Sequence, residues 1–123
     1  MKLHESAEDY LERILMLTKK NGKVKSIDIA EDMHYSKASV SIAMKKLKEK
    51  NYIVIENGYI LLTNEGYQVA NEMFERHNII SSLLVELGVD KNVALEDACK
   101  IEHNLSQQSY DALKKLLTKM KGN

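Results

Sequence analysis

The stretch Ser36–Leu62, SKASVSIAMKKLKEKNYIVIENGYILL, decides the fold. Its first half reads as a short helix. Ser36 is suited to cap it, because a serine hydroxyl can satisfy an orphan backbone N–H in the first turn. Val40, Met44 and Leu47 recur at helical spacing and make one apolar stripe. Lys37, Ser39, Ser41, Lys45, Lys46 and Lys48 fall off that stripe. The second half changes period. Tyr52–Glu56 is β-branched and aromatic, hence a strand. Asn57 and Gly58 both tolerate positive φ and predict a two-residue type I′ hairpin turn, with Tyr59–Leu62 as the return strand.

Upstream, Ser26 reads as the cap of another short helix, IDIAEDMH, with Ile27, Ile29, Ala30 and Met33 as its apolar face. Two short helices joined by a tight turn and followed by a two-stranded ribbon form a winged helix-turn-helix. The second helix of such a unit enters a major groove of DNA. Small polar side chains from Ser36 to Ser41 let the backbone come close to base edges. Lysines beyond them neutralise phosphates, which positions the protein without specifying sequence. The expected DNA-contacting residues are Ser26, Ser36, Lys37, Ala38, Ser39, Ser41, Lys45, Lys46, Asn57 and Tyr59.

Further out, residues 5–20 show helical periodicity, with Ser6 as cap and Asn21-Gly22 as stop. Thr63 opens a long helix that runs to Gly88. Residues 92–104 read as a further helix, and Ser106 caps a last one. The expected architecture is mainly α with a small β-hairpin: a winged helix-turn-helix over residues 1–72, then a helical metal-binding and dimerisation domain over residues 73–123.

The charge pattern agrees with two jobs. The net charge is zero, yet residues 19–50 carry nine lysines against four acids, a net of +5. Residues 64–112 carry nine acids against three basic side chains, a net of −6. A basic half suits a polyanion and an acidic half suits cations. The charged start, MKLHESAEDYLERI, is unlike a signal peptide. No apolar run approaches the roughly 20 residues that span a bilayer. With Cys99 as its one cysteine, the chain fits a reducing cytoplasm.

Asp9 and Glu12 share a helical face at i, i+3. Cys99, Glu102 and His103 stand at i, i+3, i+4 in a later helix, and His77 sits among Phe74, Ile79 and Ile80. Together these side chains could serve one transition-metal ion or two. Such spacings are also common on solvated helices. His34 reads as a surface residue, and His4, near the first helix, is not counted among the ligands.

At these residues the chain resembles the DtxR/MntR family of metal-dependent repressors, from about Glu8 to the end. The marks are AEDYLERI at 7–14, IAEDM at 29–33, SVS at 39–41, LTNEG at 62–66, ERH at 75–77, LGVD at 87–90 and ACKIEHNLS at 98–106. The resemblance implies the short form, without an SH3-like domain. It also implies a manganese-branch ligand set at Asp9, Glu12, His77, Glu102 and His103. Cys99 stands where that branch has Glu, a substitution usual in the iron branch. The iron branch in turn has Met in place of Asp9. Its second site would use positions 81 and 95, here Ser81 and Leu95, which cannot serve. A thiolate tilts selectivity away from hard Mn²⁺. The expected effector is therefore Mn²⁺ or Fe²⁺, with Zn²⁺ and Co²⁺ binding in vitro.

The expected partners are a palindromic operator in double-stranded DNA and a second copy of the chain, with no membrane. Leu83, Leu84, Leu113, Leu116 and Leu117 are the expected dimer surface. No enzymatic activity is expected. The alternative is a winged-helix regulator without a metal switch.

Overall fold

The computed structural model describes residues 5–122. His4 lies outside them. Six helices and one hairpin follow in the order α1 (Glu5–Asn21), α2 (Ser26–Met33), α3 (Lys37–Glu49), β1 (Ile53–Glu56), β2 (Tyr59–Leu62), α4 (Asn64–Glu86), α5 (Lys91–Ile101) and α6 (Gln107–Gly122). The chain divides into two compact units, Met1–Glu72 and Met73–Asn123, and α4 contributes residues to both.

The first unit is built on apolar stripes. Leu11 and Ile14 of α1, Ile29 of α2, Val40 of α3 and Ile53 and Ile60 of the hairpin are all essentially inaccessible. Met44 and Leu47 extend the α3 stripe into the same core. Burying each such side chain contributes about 1.5–3 kcal/mol, far more than helix propensity supplies over these short segments.

Local chemistry sets the boundaries. Ser36 caps α3, and its hydroxyl oxygen accepts the Ser39 N–H at 3.1 Å. Ser26, by contrast, does not cap α2. It is the first helical residue, Lys25 holds the cap position, and the Lys25 N–H donates to the Asp28 carboxylate at 2.8 Å. Ser6 likewise lies inside the first turn of α1. Between α2 and α3 the chain turns at His34, whose φ of +59° is left-handed, while the Tyr35 N–H returns to the Ala30 carbonyl at 3.0 Å.

The hairpin pairs Ile53 with Leu62 and Glu56 with Tyr59, which leaves a two-residue loop. Asn57 (φ +53°) and Gly58 (φ +82°) both take the left-handed conformation, as a type I′ turn requires. The Ile60 N–H also reaches the Val24 carbonyl at 2.7 Å, tying the ribbon to the α1–α2 connection. Where the ribbon meets α4, the Thr63 hydroxyl donates to the Asn51 carbonyl and accepts from the Gly66 N–H. A Cβ on Gly66 would collide with the Tyr52 carbonyl oxygen, so only glycine fits there.

The second unit buries Met73, Ile80, Leu83, Ala94, Ala98, Tyr110 and Leu117. Leu83 and Leu117 thus belong to the chain's own interior, which corrects their assignment to a dimer surface. Leu116 is exposed, and Leu84 and Leu113 are intermediate. Helix α5 is capped by Asp90 and ends at Ile101, three residues short of the expected limit. Ser106 does cap α6, accepting the Ser109 N–H at 3.1 Å.

Candidate metal centre and nucleic-acid interface

Within the second unit, His77 of α4 faces Cys99 of α5 and Glu102 just beyond it. His77 Nδ1 lies 3.2 Å from Glu102 Oε1 and 3.7 Å from Cys99 Sγ. One donor atom from each of the three falls within 4.8 Å of the others. Glu102 is fully buried, His77 is nearly so, and Cys99 is exposed. The group therefore has a closed, carboxylate side and an open, sulfur side.

The donor set fits a divalent transition metal. Bonds of about 2.0–2.3 Å set around one centre separate neighbouring donors by roughly 3–4 Å, which is the spacing of the His77 contacts. Imidazole, thiolate and carboxylate together suit Fe²⁺, Co²⁺ and Zn²⁺ better than a purely oxygen-seeking ion. Three donors leave room for more ligands or water.

The end of α5 gives this group its shape. Glu102 has helical φ and ψ and its N–H still bonds the Ala98 carbonyl at 2.9 Å, but the helix goes no further. Its carbonyl accepts instead from Arg76 Nη1 at 3.0 Å. The same guanidinium donates to the Leu105 carbonyl at 2.7 Å and to Gln107 Oε1 at 3.3 Å, and lies 5.1 Å over the Tyr110 ring. Arg76 is 5% exposed. It ties the α5–α6 turn, and with it Glu102, to the helix that carries His77. Sequence reading passed over it. A lone arginine beside His77 on an apolar face was the available signal.

His103 is buried in the same turn. Helix α5 ends at Ile101, so Glu102 and His103 lie just past it and not inside the helix expected over 92–104. In the first unit, Asp9 is half-buried and Glu12 buried, three residues apart on α1.

The expected DNA-contacting residues are mostly presented to solvent. Ser36, Lys37, Ala38, Ser39, Ser41, Lys45 and Lys46 of the α3 segment are exposed, as is Asn57 at the tip of the ribbon. Two of them are already engaged, since the Ser36 hydroxyl donates to Ser39 Oγ at 2.9 Å. Ser26 and Tyr59 are half-buried. Tyr59 also gathers two cations that sequence reading did not single out. Lys23 Nζ and Lys25 Nζ lie 4.9 and 5.0 Å over its ring.

Residues 2–59 match the family described as the iron dependent repressor, N-terminal DNA binding domain. Residues 63–123 match its metal binding and dimerisation domain. An uncharacterised HTH-type transcriptional regulator of Methanocaldococcus jannaschii is 36% identical over 122 residues, 97% of this chain and 98% of that protein. The HTH-type transcriptional regulator MntR of Listeria welshimeri is 34% identical over 109 residues, 88% of this chain and 77% of its own. Among solved structures, the manganese regulator SloR superposes with a TM-score of 0.80 at 29% identity, covering 96% of this chain. The chain spans about half of that structure, 55%.

Proposed function

The chain belongs to the DtxR/MntR family of iron-dependent repressors and is a metal-dependent transcriptional repressor; on that premise we propose that its effector is Mn²⁺ or Fe²⁺ and that it represses genes of metal-ion homeostasis. The observation that carries this reading is the His77–Cys99–Glu102 group, three donors of two elements within bonding reach of one centre. The ion would supply positive charge and a fixed crossing point for these ligands. Asp9, Glu12 and His103 complete the ligand set by resemblance to the manganese branch, and the i, i+3 spacing on α1 supports Asp9 and Glu12 as a pair.

In this reading the fully buried Glu102 would take its charge out of bulk solvent, and the ion would offset the cost of burying it. Arg76 fixes the backbone of Glu102, so the carboxylate is held in place before an ion arrives. Cys99 sets the preference for a softer ion. Asp9 and Glu12 would couple the ion to α1, the first helix of the DNA-reading unit. In a homodimer that coupling fixes two recognition helices at a spacing near one helical turn of DNA, roughly 34 Å, and so favours a palindromic operator. A hundredfold gain in DNA affinity requires only about 2.7 kcal/mol of differential binding.

The test is DNA affinity of the full chain under chelator and under Mn²⁺, Fe²⁺, Zn²⁺ and Co²⁺ in turn. Affinity rises with Mn²⁺ or Fe²⁺ and falls back with chelator. Glu102→Ala loses that response while its circular dichroism stays that of the parent. Equal affinity in every condition would overturn the reading.

A further inference from the structure

The recognition helix α3 carries one side chain that serves neither its core nor its charged face. Ile42 is 58% exposed, the second most exposed of the large apolar residues described. Val40, Met44 and Leu47 fix the buried side of α3. At 100° per residue Ile42 stands about 190° from the middle of that side, so it points straight away from the core. Ala38 and Lys45, one turn to either side, are exposed with it. On a helix face otherwise made of Ser39, Ser41, Lys45 and Lys46, Ile42 is the one large apolar side chain open to a partner.

Two surroundings could receive it. Ile42 itself lines the edge of a groove of about 250 Å³ with Ser6, Ala7, Tyr10, Ala43 and Leu47, which would suit a protein. Lys46 and Lys50 border the same groove, and Lys45 and Lys46 flank Ile42 on the helix surface. That charge suits a polyanion. In the major groove of DNA the base edges offer one apolar group, the C5-methyl of thymine.

We infer that Ile42 is a specificity-determining residue that packs on a thymine methyl in each operator half-site. The inference rests on the repressor reading above. It assigns sequence discrimination to an apolar contact, where the flanking lysines give only sequence-independent grip.

The test begins by selecting sites from a random duplex library with the full chain, in parallel under Mn²⁺, Fe²⁺, Zn²⁺ and Co²⁺. Each thymine of the selected site is then replaced by deoxyuridine, which lacks only the methyl. One position per half-site should weaken binding about fourfold, the factor that burying one methyl is worth, and both half-sites together about sixteenfold. Ile42→Ala should bind the selected site more weakly and show no penalty for deoxyuridine, whereas Ile42→Val should retain part of it. A library that yields no site under any ion sinks the repressor reading and this inference with it. A wild-type chain that selects a site but ignores every thymine-to-uracil change sinks the inference alone. So does an Ile42→Ala chain with parental DNA affinity, which would assign Ile42 to a protein partner.

Discussion

The two units bury different chemistry. Among the described residues, the first buries fourteen apolar side chains and two acids, whereas the second buries seven apolar side chains with Arg76, His77, Ser81, Glu102 and His103. The first unit is held by the ordinary hydrophobic effect and reaches its fold from its own residues. The second places a guanidinium, two imidazoles and a carboxylate where apolar residues would stabilise more. A polar interior is costly unless its groups are matched, and here Arg76 is bonded to the Glu102 and Leu105 carbonyls and His77 lies against Glu102.

That contrast can be broken by hydrogen exchange. At an ion concentration about a thousandfold above Kd, bound metal stabilises by about 4 kcal/mol. Amides of α5 and α6 should then exchange about a thousandfold more slowly, with α3 and the hairpin changing far less. Equal gains throughout would show that the units do not differ in this way. Next in size is Arg76→Met, which strips the Glu102 and Leu105 carbonyls of a charged donor. We expect a loss of about 3 kcal/mol in the second unit, seen in chemical denaturation, with metal affinity lowered about 10- to 100-fold. Gly66→Ala forces the first turn of α4 off the Tyr52 carbonyl and should cost about 2 kcal/mol, read as a lower melting temperature of the DNA-reading unit with metal affinity preserved. The smallest effect is Ser36→Ala. Losing the α3 cap should cost about 1 kcal/mol in the same melting experiment and leave the second unit unchanged.

The same division explains what the sequence revealed. The first unit was legible because its rules are local. Ser36 accepts the N–H that a cap should take, Asn57 and Gly58 adopt the φ values that their turn demands, and Val40, Met44 and Leu47 are buried at the expected period. The failures there are one-residue shifts, as at Ser26, where Lys25 takes the cap position and its own N–H bonds the Asp28 carboxylate. In the second unit local rules compete with distant ones. Nothing in residues 98–106 marks Ile101 as the last helical residue, because the competitor for the Glu102 carbonyl is Arg76, 26 positions away. Cys99 and Glu102 could be suspected as partners of His77 from type and spacing. Leu83 and Leu117 look like surplus apolar residues on paper and turn out to line the interior.

The ribbon between Ile53 and Leu62 is about as short as an antiparallel pair can be, four residues on each side of a two-residue tip. Longer tips must be frozen when they settle on a duplex, at about 1–2 kcal/mol for each backbone residue that stops moving. This one has only two tip residues to freeze, Asn57 and Gly58, and its reach is capped at roughly 13 Å of strand. Under the proposed function it would therefore act as a ruler, offering its contact only to duplexes whose grooves lie within that reach.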